Sequence, residues 1–161
     1  MQAQLMSYFS AEKQESLLFI VWGAAAILIS LWLFKTGSSY RGMAYPLVAV
    51  ALIHLTVGGS VYLRTDTQVA TLQRQMQDAP SQFRVEESQR MQVVMRNFKI
   101  YKTLEIVLLA AGLLMTFGFR NSDALYAAGI GLIIQAGITL VLDLFAERRG
   151  EQYLAAIQSL Q

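Results

Sequence analysis

Four long apolar stretches without a charged side chain dominate the sequence, at residues 17–34, 43–63, 106–119 and 124–142. A helix needs about 20 residues to cross a hydrocarbon core about 30 Å thick. Lipid offers no hydrogen-bond partner to backbone groups, so an apolar segment that crosses it is helical unless it closes into a barrel. The stretches lack the alternation of apolar and polar residues that barrel strands show. They therefore predict an all-α membrane protein with four transmembrane helices.

The overall composition agrees with this prediction. Hydrophobic residues make up 55% of the chain and charged residues 15%, whereas a soluble domain carries about 25% charged residues. The residues before the first stretch include Glu12 and Glu15, unlike the short basic region that opens a cleavable signal peptide, so we expect this span to be retained. When adjoining residues are included, a single four-helix membrane domain is predicted, with its spans at 17–34, 43–63, 104–119 and 124–145.

The distribution of Lys and Arg predicts the orientation of the spans. Four spans place both termini and the connection between spans two and three on one side of the membrane. That side carries ten of the 13 Lys and Arg residues, and the more basic side of a membrane protein faces the cytoplasm. We therefore expect a protein integral to the plasma membrane, the inner membrane in a bacterium, with both termini cytoplasmic.

The connection at 64–103 is too long for a simple loop. It has no Gly and a single Pro, Pro80, and it is rich in residues that favour helices. Apolar residues recur at helical spacing on both sides of this proline: Val69, Leu72 and Met76 before it, and Met91, Val94, Phe98 and Tyr101 after it. We expect helices two and three to extend into a cytoplasmic helical hairpin, and 146–161 to form a cytoplasmic amphipathic tail. The alternative is a mobile loop with frayed helix ends.

The two halves of the sequence resemble each other. Phe34 and Lys35 follow the first span as Phe119 and Arg120 follow the third. Corresponding positions lie 81 to 85 residues apart. Because each unit contains two spans, both units insert the same way up, as parallel helix-hairpin repeats, which some transporters contain. We predict an internal duplication; the alternative is that a shared apolar composition makes the segments look alike.

The repeat aligns two polar residues at mid-span, His54 in helix two and Gln135 in helix four. Gly58 and Gly131 lie on the same helix faces, and small residues let helices approach closely enough for polar side chains to bond across them. One interpretation is a structural hydrogen bond between helices. The other is a proton or solute site at the membrane midplane. We favour the structural interpretation.

Two acidic residues, Glu105 and Asp143, lie at the cytoplasmic edge of spans three and four. An acid inside a span usually has a charged partner or water. Lys102 lies one turn from Glu105, and Arg148 follows Asp143 closely. The simpler interpretation is a local ion pair for each acid at the headgroup level. The alternative is a cation-binding vestibule or a contact with a partner.

Several classes of chemistry are absent from the sequence. It has no Cys and one His, which excludes disulfides, thiolate metal sites and Cys nucleophiles. It has no nucleophile elbow, paired-His metal motif or glycine-rich phosphate loop. Segment 64–103 has seven basic and four acidic residues, a net charge of +3, which suits anionic headgroups. We expect no enzymatic activity, no cofactor and no nucleic-acid partner.

Two function classes follow. The first is a non-enzymatic membrane protein that binds another protein, as an assembly subunit, a scaffold or a toxin-immunity protein. Its candidate partner surface consists of residues of the hairpin and the tail, namely Met76, Phe83, Met91 and Tyr153. The alternative is a small homo-oligomeric channel or transporter for ions or protons, suggested by the repeat and by His54 and Gln135. Four helices enclose little space, so its pore would lie between copies.

The predicted orientation can be tested by labelling single cysteines, because the chain has no native Cys. A cysteine at Ser81, beside Pro80, should react with a membrane-impermeant thiol reagent only after the cells are opened. A cysteine at Ser39, in the short connection after span one, should react in intact cells. Labelling of Ser81→Cys in intact cells would contradict the assignment.

Overall fold

The protein folds into four long helices in a computed structural model that describes residues 1–159. They are α1 (Gln2–Thr36), α2 (Ala44–Asp78), α3 (Pro80–Gly118) and α4 (Asp123–Gln158), and a short 3-10 helix (Ser39–Met43) joins α1 to α2. All four are long and apolar enough to cross a membrane. The all-α architecture with four candidate spans is thus confirmed. The internal repeat and the cytoplasmic hairpin stay predictions.

Every helix is much longer than a membrane is thick. At about 1.5 Å per residue, a helix of 35 residues is about 52 Å long. We call residues 17–63 and 104–145 the apolar half and the remaining described residues the charged half. The charged half therefore contains a section of each helix, including the first turns of α1, which were not predicted from the sequence. The last two residues of the predicted tail 146–161 lie outside the described residues.

The helices end where the sequence contains residues that stop a helix. Gly37 follows α1 with φ 62°, a left-handed conformation that glycine adopts without steric strain and that commonly closes a helix. Between α2 and α3 only Ala79 is non-helical. Pro80 then opens α3 at a position where its missing N–H leaves no helical bond unmade. The predicted break at Pro80 is thus a turn of one residue.

The helices pack as two antiparallel pairs, α1 with α2 and α3 with α4. Helix α4 also contacts α1 and α2, and α2 contacts α3; α1 and α3 meet through side chains, such as Phe9 and Arg90. Glycines allow the closest approaches within each pair. A Cβ added at Gly58 would lie 2.7 Å from the Ser16 carbonyl oxygen, and one added at Gly129 would lie 2.7 Å from the Gly112 carbonyl oxygen.

Two adjacent glycines of α2 offer a matched test of this packing. A methyl group at Gly58 would overlap the α1 backbone, whereas one at Gly59 would meet no atom within 4 Å. We expect Gly58→Ala to lower the free energy of unfolding by about 1–3 kcal/mol because the helices must separate. Gly59→Ala should leave it unchanged or raise it by up to about 1 kcal/mol through helix propensity. Thermal unfolding in detergent, followed by circular dichroism, measures both, and equal effects would contradict the crossing.

Candidate functional site

The midplane of the apolar half contains a polar cluster centred on Gln135. This side chain is fully buried. The indole Nε1 of Trp22 donates a hydrogen bond of 2.6 Å to Gln135 Oε1, and Gln135 Nε2 donates one of 3.3 Å to the backbone oxygen of Leu47. The amide of Gln135 therefore joins α1, α2 and α4, and both of its polar ends are satisfied.

His54 lies beside this cluster without bonding to Gln135 directly. Its Nε2 is 3.1 Å from Thr139 Oγ1, and the Thr139 hydroxyl donates a hydrogen bond of 2.9 Å to the Gln135 backbone oxygen. The Thr139 hydroxyl has a single proton, so His54 Nε2–H is the donor in this pair. The other ring nitrogen, Nδ1, is buried without a partner. The polar chain therefore ends at His54, and the sequence-predicted pair is connected through Thr139.

A layer of ion pairs lies where the apolar half meets the charged half. Lys102 on α3 bonds to Glu147 on α4, and Arg149 on α4 bonds to Glu15 on α1. Lys13 on α1 bonds to Asp66 on α2 at 2.6 Å. Together the three pairs link α2 to α1, α1 to α4, and α4 to α3. They differ from the local pairs that the sequence analysis expected for Lys102 and Arg148.

Burial changes the acidity of the Glu15 side chain. It raises the pKa of this carboxyl group to about 7, and the nearby Asp143 and Glu12 carboxylates add to the increase, whereas Arg149 opposes it. Several acids therefore lie close together in this layer.

Glu105 and Asp143 are left without a cation by this arrangement. Both side chains are buried, with 6% and 8% of their surface exposed. Lys102 is bonded to Glu147, so it is not the partner of Glu105. The two acids instead lie within hydrogen-bonding distance of each other across α3 and α4. The expectation of one local ion pair per acid is therefore wrong: Lys102 binds Glu147 on α4, and Arg148 is exposed and forms no ion pair within residues 1–159.

The charged half has an apolar core of its own, to which all four helices contribute. Tyr8 of α1 stacks on Tyr153 of α4 with ring centroids 4.6 Å apart. Arg90 of α3 lies over the ring of Phe9, 5.6 Å from its centroid, and its Nε donates a hydrogen bond of 2.7 Å to Glu87. Buried Glu87 is thereby neutralised inside the core.

Most of the predicted partner surface lies in this core. Phe83 and Met91 are fully buried, Tyr153 is 2% exposed, and Met76 is partly buried against them. The prediction that these residues form an exposed surface is therefore wrong. Its physical reason is α1, whose Leu5, Tyr8 and Phe9 cover them. The spacing of these three residues, with apolar side chains at i, i+3 and i+4, is the helical pattern in the sequence that could have revealed this contact.

A cleft lies away from the midplane. One cleft of about 220 Å³ runs between α1 and α2 in the charged half, lined partly by Met6, Ser10, Lys13, Asp66 and Gln73. Within residues 1–159, no group of three or more His, Asp or Glu side chains is positioned to hold a metal ion.

Comparison with known proteins adds no family to this description. No protein-family model matches the chain, and neither a curated protein nor a solved structure shows significant similarity to it.

The role of His54 can be tested by substitution. His54→Gln keeps an N–H donor for Thr139, so we expect thermal stability in detergent to remain unchanged. His54→Leu removes the donor and should lower the free energy of unfolding by about 1 kcal/mol, as is typical of such bonds in membrane proteins. Thr56→Val, at an exposed site of the same helix, controls for the loss of a polar group. Proton flux into liposomes should be the same for the wild type and His54→Gln; a selective loss of flux would show that His54 carries protons.

Proposed function

We propose that the chain is a non-enzymatic integral membrane protein that binds another protein through the outer face of α3 in the charged half. In this proposal the charged half lies in the cytoplasm, on the side that carries ten of the 13 basic residues. The proposal covers the assembly-subunit, scaffold and toxin-immunity roles, which share this mode of action.

The proposal rests on one face of α3 whose apolar side chains no other helix covers. Val85, Val93 and Ile100 are 56%, 46% and 58% exposed. Together with Gln89 and Arg96 they follow one another at spacings of four, four, three and four residues, which places them on one side of a helix. We call these five residues the α3 outer face. It points away from the core side of α3, where Phe83 and Met91 are buried.

This face resembles a helix-binding surface more than a solvated one. Its three apolar side chains share one side of the helix and are separated by Gln89 and Arg96, and an amphipathic helix is recognised by apolar anchors at such helical spacing. Arg96 within the face and Lys99 beside it are exposed and form no ion pair within residues 1–159. A partner helix with an apolar row and flanking Asp or Glu would complement both features.

Photocrosslinking tests this proposal directly. Benzoyl-phenylalanine placed at Val93 or at Ile100, in the native membrane, should give an adduct of one fixed mass with a different protein. The same group at Thr71, an exposed position on α2, should give no such adduct. Arg96→Glu should weaken the adduct at Val93 because it removes the charge attraction, and Arg74→Glu on α2 should leave it intact.

Two results would contradict the proposal. Adducts with lipid alone, or none at either position, would show that no protein covers the face. Adducts that join only two differently tagged copies of this chain would show a homo-oligomer and favour the alternative, a channel or transporter between copies. The midplane offers this alternative little support within one chain, because Gln135 is satisfied on both sides.

A further inference from the structure

The Glu105 and Asp143 carboxyl groups form a buried contact that the proposed function does not use. Glu105 comes from α3 and Asp143 from α4, and no N–H or O–H group of residues 1–159 donates a hydrogen bond to either, apart from their contact with each other. The Oε2 atom of Glu105 is buried without any partner. A buried polar atom without a partner in a native fold calls for an explanation, such as an ion or a catalytic role.

The surrounding charges make two ionised carboxylates untenable here. On α3, Lys102 is bonded to Glu147. On α4, Glu147 adds negative charge next to Asp143, and Arg149 is bonded to Glu15 of α1. Lys102 and Arg149 are therefore each already matched by another acid. Two carboxylates in contact with no cation between them cannot both ionise, so one of them retains a proton, as in other paired acids of proteins.

We propose that Glu105 and Asp143 are a proton-binding site, in which one proton is held between the two carboxyl groups at the edge of the apolar half. The protonated acid donates to the ionised one, so the pair has a single negative charge. The proton enters from the side of the charged half, which is the side that the acids adjoin. This inference concerns the α3–α4 contact and does not depend on whether a protein binds the α3 outer face.

A proton fits this site better than a metal cation does. Hard cations such as Ca²⁺ take six to eight oxygen ligands and Mg²⁺ takes about six. The site supplies only two carboxyl groups, and no third acid is placed to complete a metal site within the described part of the chain. A proton needs just two oxygen atoms at hydrogen-bonding distance.

Infrared difference spectroscopy on the purified protein in lipid nanodiscs tests the site. The C=O stretch of a protonated carboxyl group is separated from the bands of ionised carboxylates. At pH 7 the wild type should show this band, and it should disappear reversibly as the pH is raised. In a Glu15→Gln background, which removes the other carboxyl group that is partly protonated at pH 7, Glu105→Gln and Asp143→Asn should each abolish it, because the new amide donates to the remaining carboxylate and lets it ionise. Glu151→Gln, at an exposed position of α4, should leave it unchanged.

Each other result overturns the proposal. If the wild type shows no protonated band, the pair is ionised. If the band persists in both single variants, each acid is protonated independently and no proton is shared. If NaCl or CaCl₂ removes the band when it replaces choline chloride, the site binds a metal cation. The titration and ion exchange of the Glu15→Gln protein decide the question even if a further variant does not fold, which circular dichroism and size-exclusion chromatography would reveal.

Discussion

The aromatic core of the charged half is the interaction on which the arrangement of the four helices depends. Inside a bilayer, lipid tails are as apolar as leucine, so helices gain no hydrophobic stabilisation by associating there. The charged half lies outside the predicted spans, and in water the burial of apolar surface drives association. Tyr8, Phe9, Phe83, Met91 and Tyr153, from α1, α3 and α4, share that core. Leu72 of α2 belongs to the same core, so all four helices meet in it.

The apolar half then relies on close approach and on a few hydrogen bonds. Gly58 and Gly129 bring the helices of each pair together, and Gln135 ties α4 to Trp22 on α1 and to the Leu47 backbone on α2. Helix α3 contacts mainly α4. Its exposed side is available to lipid in the apolar half and to a partner in the charged half.

Competition for cations explains the chemistry at the boundary between the halves. Lys102 and Arg149 each have one strong acidic partner, Glu147 and Glu15. Each of these pairs joins two helices and so contributes to alignment as well as to charge balance. The consequence is that Glu105 and Asp143 contact each other with no cation between them. The same network that aligns the helices thus creates the proton site that we propose.

The sequence by itself determined the number of helices and their apolar character. Apolar runs act through their solubility in lipid, and Gly37 and Pro80 act through local backbone geometry. It also indicated that His54 and Gln135 face other helices. Only the tertiary structure decided which groups meet. Glu15 and Arg149 lie 134 residues apart, and the helical pattern of Leu5, Tyr8 and Phe9 does not say which surface they cover. An isolated helix of about 15 residues is only marginally stable in water and forms through packing. The charged-half section of α1 therefore depends on its contacts with the other helices. The same contacts bury Phe83, Met91 and Tyr153, and the spacing of residues along the sequence does not encode them.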